Sequence, residues 1–278
     1  MINRTGEEIE GSNKAPLWLP SVEKRADEEI AALDREAERR LATHPRPTQA
    51  EQEQAARSAA RHKALFKEQN KGLDDTNHRL SRAFEVFVAL GLKGKPADAR
   101  GAGGFTPGYF GRIAEVDLTS SEDDIHKGID CVVRIPTGGK EYALGLDVTM
   151  SPLKLTDKFR KIRDAIRAGD QNIRIVAGVS NAPVRSALME WGRDENRHEA
   201  YDSTVIGARI REQTIAQLEA FEAYARTFSS NEHLKLAESF KTIRETLLKW
   251  KSNEKIPGLE NDLVHQELMR RAREFGKE

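Results

Sequence analysis

The sequence predicts an α/β protein with a mixed central sheet, carried between helical extensions. Three observations predict it. A highly charged helical region gives way near residue 75 to a helix with a broad apolar face. Three short runs of strand character follow between 112 and 149. After one more helical stretch comes "NIRIVAGVS" (172–180), almost wholly apolar, and the rest reads as helix.

Residues 21–43 form a charged helix with Ile30, Leu33 and Leu41 as sparse apolar positions, and the prolines of "HPRPT" (44–48) end it. Residues 49–72 read as a second helix, polar nearly all round. Residues 1–72 are therefore expected to form a solvated helical arm; a DNA-binding or dimerising arm is the alternative. Residues 75–92 set Leu80, Phe84, Phe87, Val88 and Leu90 on one face and make the first core helix. The Gly/Pro-rich stretch 93–111 lacks the lysine-and-hydroxyl ending of a P-loop and reads as a mobile connector. Strands are expected over Arg112–Thr119, Gly128–Ile135 and Glu141–Thr149, with "PTGGK" as the hairpin turn joining the last two.

A helix is expected from about 152 to 168, with Ser151 as N-cap and Pro152 at its first position. The run at 172–180 then reads as a buried central strand, and "WGRDENRHEAYD" (191–202) as a charged loop. Helices close the chain over about 203–228, 231–251 and 259–276. The units expected are an arm (1–72), an α/β core (73–202) and C-terminal helices packed on or extending it (203–278).

Composition narrows the function. Net charge is zero, from 45 basic and 45 acidic residues, so a dedicated DNA-coating protein is disfavoured. The charge is nonetheless uneven: seven Lys/Arg face three Asp between Lys154 and Arg174. The one cysteine, Cys131, excludes an intrachain disulfide and a multi-cysteine zinc site. Absence of a long apolar run or an apolar leader leads to the expectation of a cytosolic protein that spans no membrane. The histidines form no HExxH pattern and "GVSNA" is no nucleophile elbow. Trp18, Trp191 and Trp250 read as packing residues.

The chemistry concentrates in "GIDCVVRIPTGGKEYALGLDVTM" (128–150), where two apolar strands each carry one aspartate. Alternation places Ile129, Cys131, Val133 and Ile135 on one face and Asp130, Val132 and Arg134 on the other. On the next strand Ala143, Gly145, Asp147 and Thr149 share a face, small enough for a helix to pack closely. A meander allows Asp130 and Asp147 to meet on one side. Paired carboxylates repel unless a cation joins them. Mg2+ or Mn2+ fits that need and activates water against a phosphodiester. The alternative is that one or both aspartates cap strands or bind local backbone.

A helix bearing Glu85, a hairpin, "GID", 16 intervening residues, "DVT", a basic helix and a buried strand follow one another over 75–185. This order resembles the PD-(D/E)XK nuclease core, a restriction-endonuclease-like αβββαβ fold. The resemblance implies Asp130 as the first metal-binding acid, Asp147 as the second, Glu85 as the helix acid and the Val148 carbonyl as a further ligand. Thr149 stands where that family carries a lysine that positions water and steadies charge. Divergent members supply this lysine from the next helix, which here offers Lys154, Lys158 and Lys161 as one stripe, Lys158 foremost. Asp124 and His126 belong to a polar loop that could add to the metal shell or touch substrate. Lys154, Lys158, Lys161, Arg193 and Arg197 are candidate nucleic-acid contacts. The implied activity is Mg2+-dependent cleavage of nucleic acid, DNA foremost. The alternative is a catalytically silent scaffold that works through its helical extensions, as a homodimer or with a protein partner.

Overall fold

Gly138 and Gly139 carry φ values of 58° and 78°, which glycine adopts without strain and a two-residue type I′ hairpin turn requires. The sheet grows from that turn. The computed structural model describes residues 15–41, 76–93, 108–110, 115–119, 128–153, 155–193, 204–249 and 261–277. Its elements begin with α1 (Leu19–Leu41), α2 (Thr76–Lys93), β1 (Glu115–Leu118), β2 (Cys131–Thr137) and β3 (Lys140–Thr149). They continue with α3 (Leu155–Arg167), β4 (Ile173–Gly178), α4 (Asn181–Arg193), α5 (Thr204–Ala225), α6 (Asn231–Leu248) and α7 (Leu263–Glu274). The helix expected over 49–72, and Trp250, lie outside the described residues.

The chain is α/β, with a mixed sheet in the order β1-β2-β3-β4 among the described residues. The first two pairings are antiparallel and the third is parallel, with α3 in the crossover that a parallel pair needs. Alternation buries Cys131, Val133 and Ile135 of β2 and Leu144, Leu146 and Val148 of β3. The apolar face of α2, with Phe84 and Phe87 fully buried, completes that core.

The central strand expected at 172–180 is corrected: β4 is an edge strand among the described residues. Its outer edge is covered by two glutamines one turn apart on α5. Gln217 Oε1 accepts the Val176 N–H at 3.0 Å and its Nε2 donates to the Val176 carbonyl at 2.6 Å. Gln213 does the same at Gly178, at 2.9 and 2.8 Å. Both side chains are fully buried and supply what a fifth strand would otherwise provide. The apolar sequence of β4 reports burial, and a helix achieves it.

Other expectations are also corrected. The described part of the N-terminal arm is core: Leu19, Val22, Ala26 and Leu33 are buried, and α1 packs on α2 and α4. Arg25 of α1 lies 5.2 Å from the Trp191 ring centroid and donates to the Trp191 carbonyl. The connector 93–111 is anchored at its far end, where Gly108, Tyr109 and Phe110 are buried. The Tyr109 N–H donates to the Gly91 carbonyl at 2.8 Å, and a Cβ at Gly91 or Gly207 would strike its ring. Helix α4 occupies 181–193, so the supposed loop at 191–202 begins as helix; it buries Val184, Leu188 and Trp191. Finally, α3 starts at Leu155. Ser151 Oγ accepts the Leu153 N–H at 3.3 Å within a preceding turn, so it does not cap the helix.

The C-terminal helices join the same apolar cluster as the sheet. Asp262 caps α7 through the His265 N–H at 3.0 Å, and it pairs with Arg209 at 2.7 Å and Ser180 Oγ at 2.7 Å. Among the described residues no helix is long and apolar enough to cross a membrane.

Candidate functional site

The site forms where β2 begins and β3 ends. The Asp130 N–H donates to the Leu146 carbonyl at 2.9 Å, although Cys131 is the ladder partner of Leu146. Two residues thus address one, a bulge-like offset. As a result Ile129 lies against Gly145, where a Cβ would sit 2.9 Å from Ile129 Cδ1. Strict alternation, which put Ile129 with Cys131, fails here. Ile129 fills the space over Gly145 that a helix was expected to take. Asp130 is buried, and its Oδ2 accepts the Val148 N–H at 2.5 Å.

Asp147 stands near the end of β3, and its carboxylate is ion-paired with the Lys158 ammonium in the first turn of α3. The side chains are 15% and 23% exposed, so the pair is only partly desolvated. A lysine in a first helical turn opposes the helix dipole, and Asp147 offsets that. Thr149 Oγ1 donates to the Ser151 carbonyl at 3.1 Å and accepts the Ser151 N–H at 3.2 Å. Its hydroxyl therefore builds the turn that leads toward α3.

A cleft of about 740 Å³ gathers these groups. Asp130, Asp147, Val148 and Thr149 line it from the strand ends, Lys158 and Lys161 from α3, and Glu85 with Ser81 from α2. Glu85 accepts from Arg82 at 3.3 Å and Ser81 Oγ at 3.4 Å. The Cys131 thiol is pushed well above its ordinary range by burial, then by the Asp130 and Glu85 carboxylates, which marks the local field as negative. Arg193 lines neither this cleft nor the one described below. Lys154, Asp124, His126 and Arg197 lie outside the described residues, or have side chains that do.

The carboxylates of Asp130 and Asp147 and the carbonyls of the strand ends are hard oxygen donors, the kind that Mg2+ and Mn2+ take together with water. Among the described residues no three His, Cys, Asp or Glu side chains gather closely enough to hold a metal ion. Glu85 therefore shares the cleft without forming a three-acid cluster with the two aspartates. Arg174 is an unforeseen member, lining the cleft from β4 with Nη2 at 3.7 Å from Asp170 Oδ2. Its signals in the sequence are a charged residue inside an apolar strand and its place at the end of the basic window that begins at Lys154.

Comparison with protein-family models, curated proteins and solved structures found no match to this chain.

Proposed function

We propose that the protein is a metal-dependent nuclease that hydrolyses phosphodiester bonds on an αβββαβ core of restriction-endonuclease type. One juxtaposition carries the reading: Asp130 and Asp147 line a single cleft, and Lys158 from the following helix meets Asp147. The order α2-β1-β2-β3-α3-β4 supports it, being that of the PD-(D/E)XK core. Mg2+ or Mn2+, held by Asp130, Asp147 and the Val148 carbonyl, would supply the Lewis acidity and the ionised water that the reaction needs. A donor set of two carboxylates and a carbonyl, completed by water, suits such an ion.

Hydrolysis forms one P–O bond to the water oxygen and breaks one to the leaving ester oxygen, while negative charge gathers on the phosphoryl group. The Lys158 ammonium sits in a partly dry wall, where a fixed positive charge steadies that group better than in open water. It thereby serves in place of the lysine that Thr149 replaces. Lys161 and Arg174 flank the same cleft and hold neighbouring phosphates, so binding weakens with salt. Glu85, fixed by Ser81 and Arg82, orients water from the α2 wall.

The test is cleavage of plasmid and single-stranded DNA with Mg2+ or Mn2+ by the wild type and by Asp147→Asn. Metal-dependent cleavage that Asp147→Asn abolishes is expected; a wild type that cuts neither substrate overturns the proposal. The Asp147–Lys158 pair also favours a second reading, a silent scaffold in which the lysine permanently neutralises the acid. That reading expects nucleic-acid or protein binding without cleavage.

A further inference from the structure

A second cleft, of about 410 Å³, opens on the sheet face that carries Val132, Ala143 and Gly145. It shares Ile129, Gly145 and Arg174 with the first, so the two adjoin as one trough that the Ile129 side chain divides. The trough follows β3 from Asp147 back to Ala143, about 13 Å at the rise of a strand. Its floor is low at Ala143, whose small side chain is exposed, while Ile129 lies over Gly145.

The two halves differ in chemistry. The first half holds the cations Lys158 and Lys161. The second is walled by Thr119, Glu141, Gln171, Asn172 and Ser239, with Arg174 at the join. Hydrogen bonding in that wall is directional. Gln171 Nε2 donates to the Gly169 and Glu232 carbonyls at 2.9 and 3.1 Å, and Asn172 Nδ2 donates to Asp170 Oδ1 at 2.6 Å. Those partners can only accept, so the amide orientations are fixed and each amide has its oxygen left to offer, Asn172 Nδ2 keeping its second N–H besides. Ser239 Oγ donates to the Lys235 carbonyl at 3.0 Å, and Thr119 Oγ1 donates to the carbonyls of Ile129 and Asp130. Each hydroxyl thus retains only acceptor capacity. Glu141 is an acceptor by nature.

Resting on the nuclease reading, we infer that this acceptor-rich cleft receives the base of a nucleotide next to the reacting phosphate and selects bases that carry an exocyclic amine. Adenine and cytosine present an N–H2 donor where thymine presents a carbonyl. A base can enter such a cleft only when it is unpaired, so the ligand is single-stranded nucleic acid. Arg174, at the join, contacts the phosphate between the two halves.

The test is fluorescence anisotropy with short homopolymers of deoxyadenylate, deoxycytidylate and thymidylate, in Ca2+ to provide an oxygen-seeking cation. Wild type, Ala143→Trp and Asn172→Leu are compared, together with cleavage in Mg2+. Ala143→Trp fills the trough from an exposed position without touching Asp147 or Lys158, and Asn172→Leu removes one acceptor. The wild type is expected to bind deoxyadenylate or deoxycytidylate about tenfold more tightly than thymidylate. Both variants are expected to reduce that ratio toward one. Equal binding to all three, or a preference for thymidylate, overturns the base cleft, as does an amino-base preference that both variants retain. In those cases the nuclease reading stands. A wild type that neither binds nor cuts any homopolymer overturns both.

Discussion

Replacing Gln217 with leucine tests the covering of β4 directly. The side chain is fully buried, and its amide satisfies both the N–H and the carbonyl of Val176, itself buried. Leucine fills nearly the same space and pairs with neither. Each buried backbone group left without a partner costs about 1–3 kcal/mol, so with two such groups Gln217→Leu should cost about 2–6 kcal/mol. Whole domains are stable by only about 5–15 kcal/mol. Urea unfolding reads the change as a lower midpoint, and hydrogen exchange reads it as lost protection of the Val176 amide. Gln217→Glu adds a check of sign. Its carboxylate accepts the Val176 N–H but turns a second oxygen toward the Val176 carbonyl, so its pKa rises in the fold. A group whose folded pKa is raised stabilises as pH falls, so this variant should recover stability on acidification toward the range where carboxylates protonate. A Gln217→Leu protein within about 0.5 kcal/mol of wild type, with Val176 still protected, would refute the idea that the amides seal the edge.

Asp262→Ala removes one half of an ion pair whose side chains are 4% and 1% exposed, along with the α7 cap. It takes a carboxylate away from the buried Arg209, and a loss of about 3–5 kcal/mol is expected in urea unfolding; a loss near zero would show that water replaces the carboxylate. His265 is held below its ordinary value of 6.5, chiefly by burial, with Arg209 lowering it further and Glu212 and Asp262 opposing. Neutral His265 thus contributes stability that is fully present above 6.5 and is lost as pH falls through the lower folded value. Melting temperatures taken across that range should drop on acidification, and His265→Gln should flatten that segment of the profile. Lys158→Met keeps the length of the side chain and removes its charge; under the nuclease reading single-turnover cleavage should fall about a hundredfold or more, and unchanged cleavage would assign the lysine role elsewhere.

What the sequence revealed and what it hid divide along the range of the interactions. The Gly138–Gly139 turn, the apolar face of α2 and the Leu155, Phe159, Ile162, Ile166 stripe of α3 are local patterns, and each forms the element that it predicts. The position of β4 was not legible, because its edge is closed by Gln213 and Gln217, some 35 and 41 residues away in sequence. A glutamine inside an amphipathic helix carries no sign of what it will cover. Helix α4 was hidden by its early Pro183, which is tolerated in a first turn. The offset at Asp130 escaped period-two reading because the regular alternation of β2 begins only at Cys131, one residue later. In the candidate site, the types and order of Asp130, Asp147 and Lys158 were visible in the sequence. The trough and Arg174's place in it depend on a sheet face that only tertiary packing defines.

Thr149, the last residue of β3, and Lys158, in the first turn of α3, are linked through the short segment between those elements. A lysine at 149 would leave the strand directly. Threonine instead spends its hydroxyl on Ser151, forming the turn that precedes α3. That turn leads to a first helical turn in which Lys158 meets Asp147, two residues before Thr149. The charge thus reaches the carboxylate from a helix rather than from the strand, at a position that the dipole disfavours by about 0.3–1 kcal/mol. Asp147 makes that position tenable, so the two residues are coupled. A bridge that served only to fasten α3 to β3 could be replaced by apolar residues at little cost, and it would have no need to line a cleft of about 740 Å³ beside a second carboxylate. Under the nuclease reading the pair's partial exposure suits its role: an ammonium sealed away could not meet a phosphate, and one at the open surface would be screened by water.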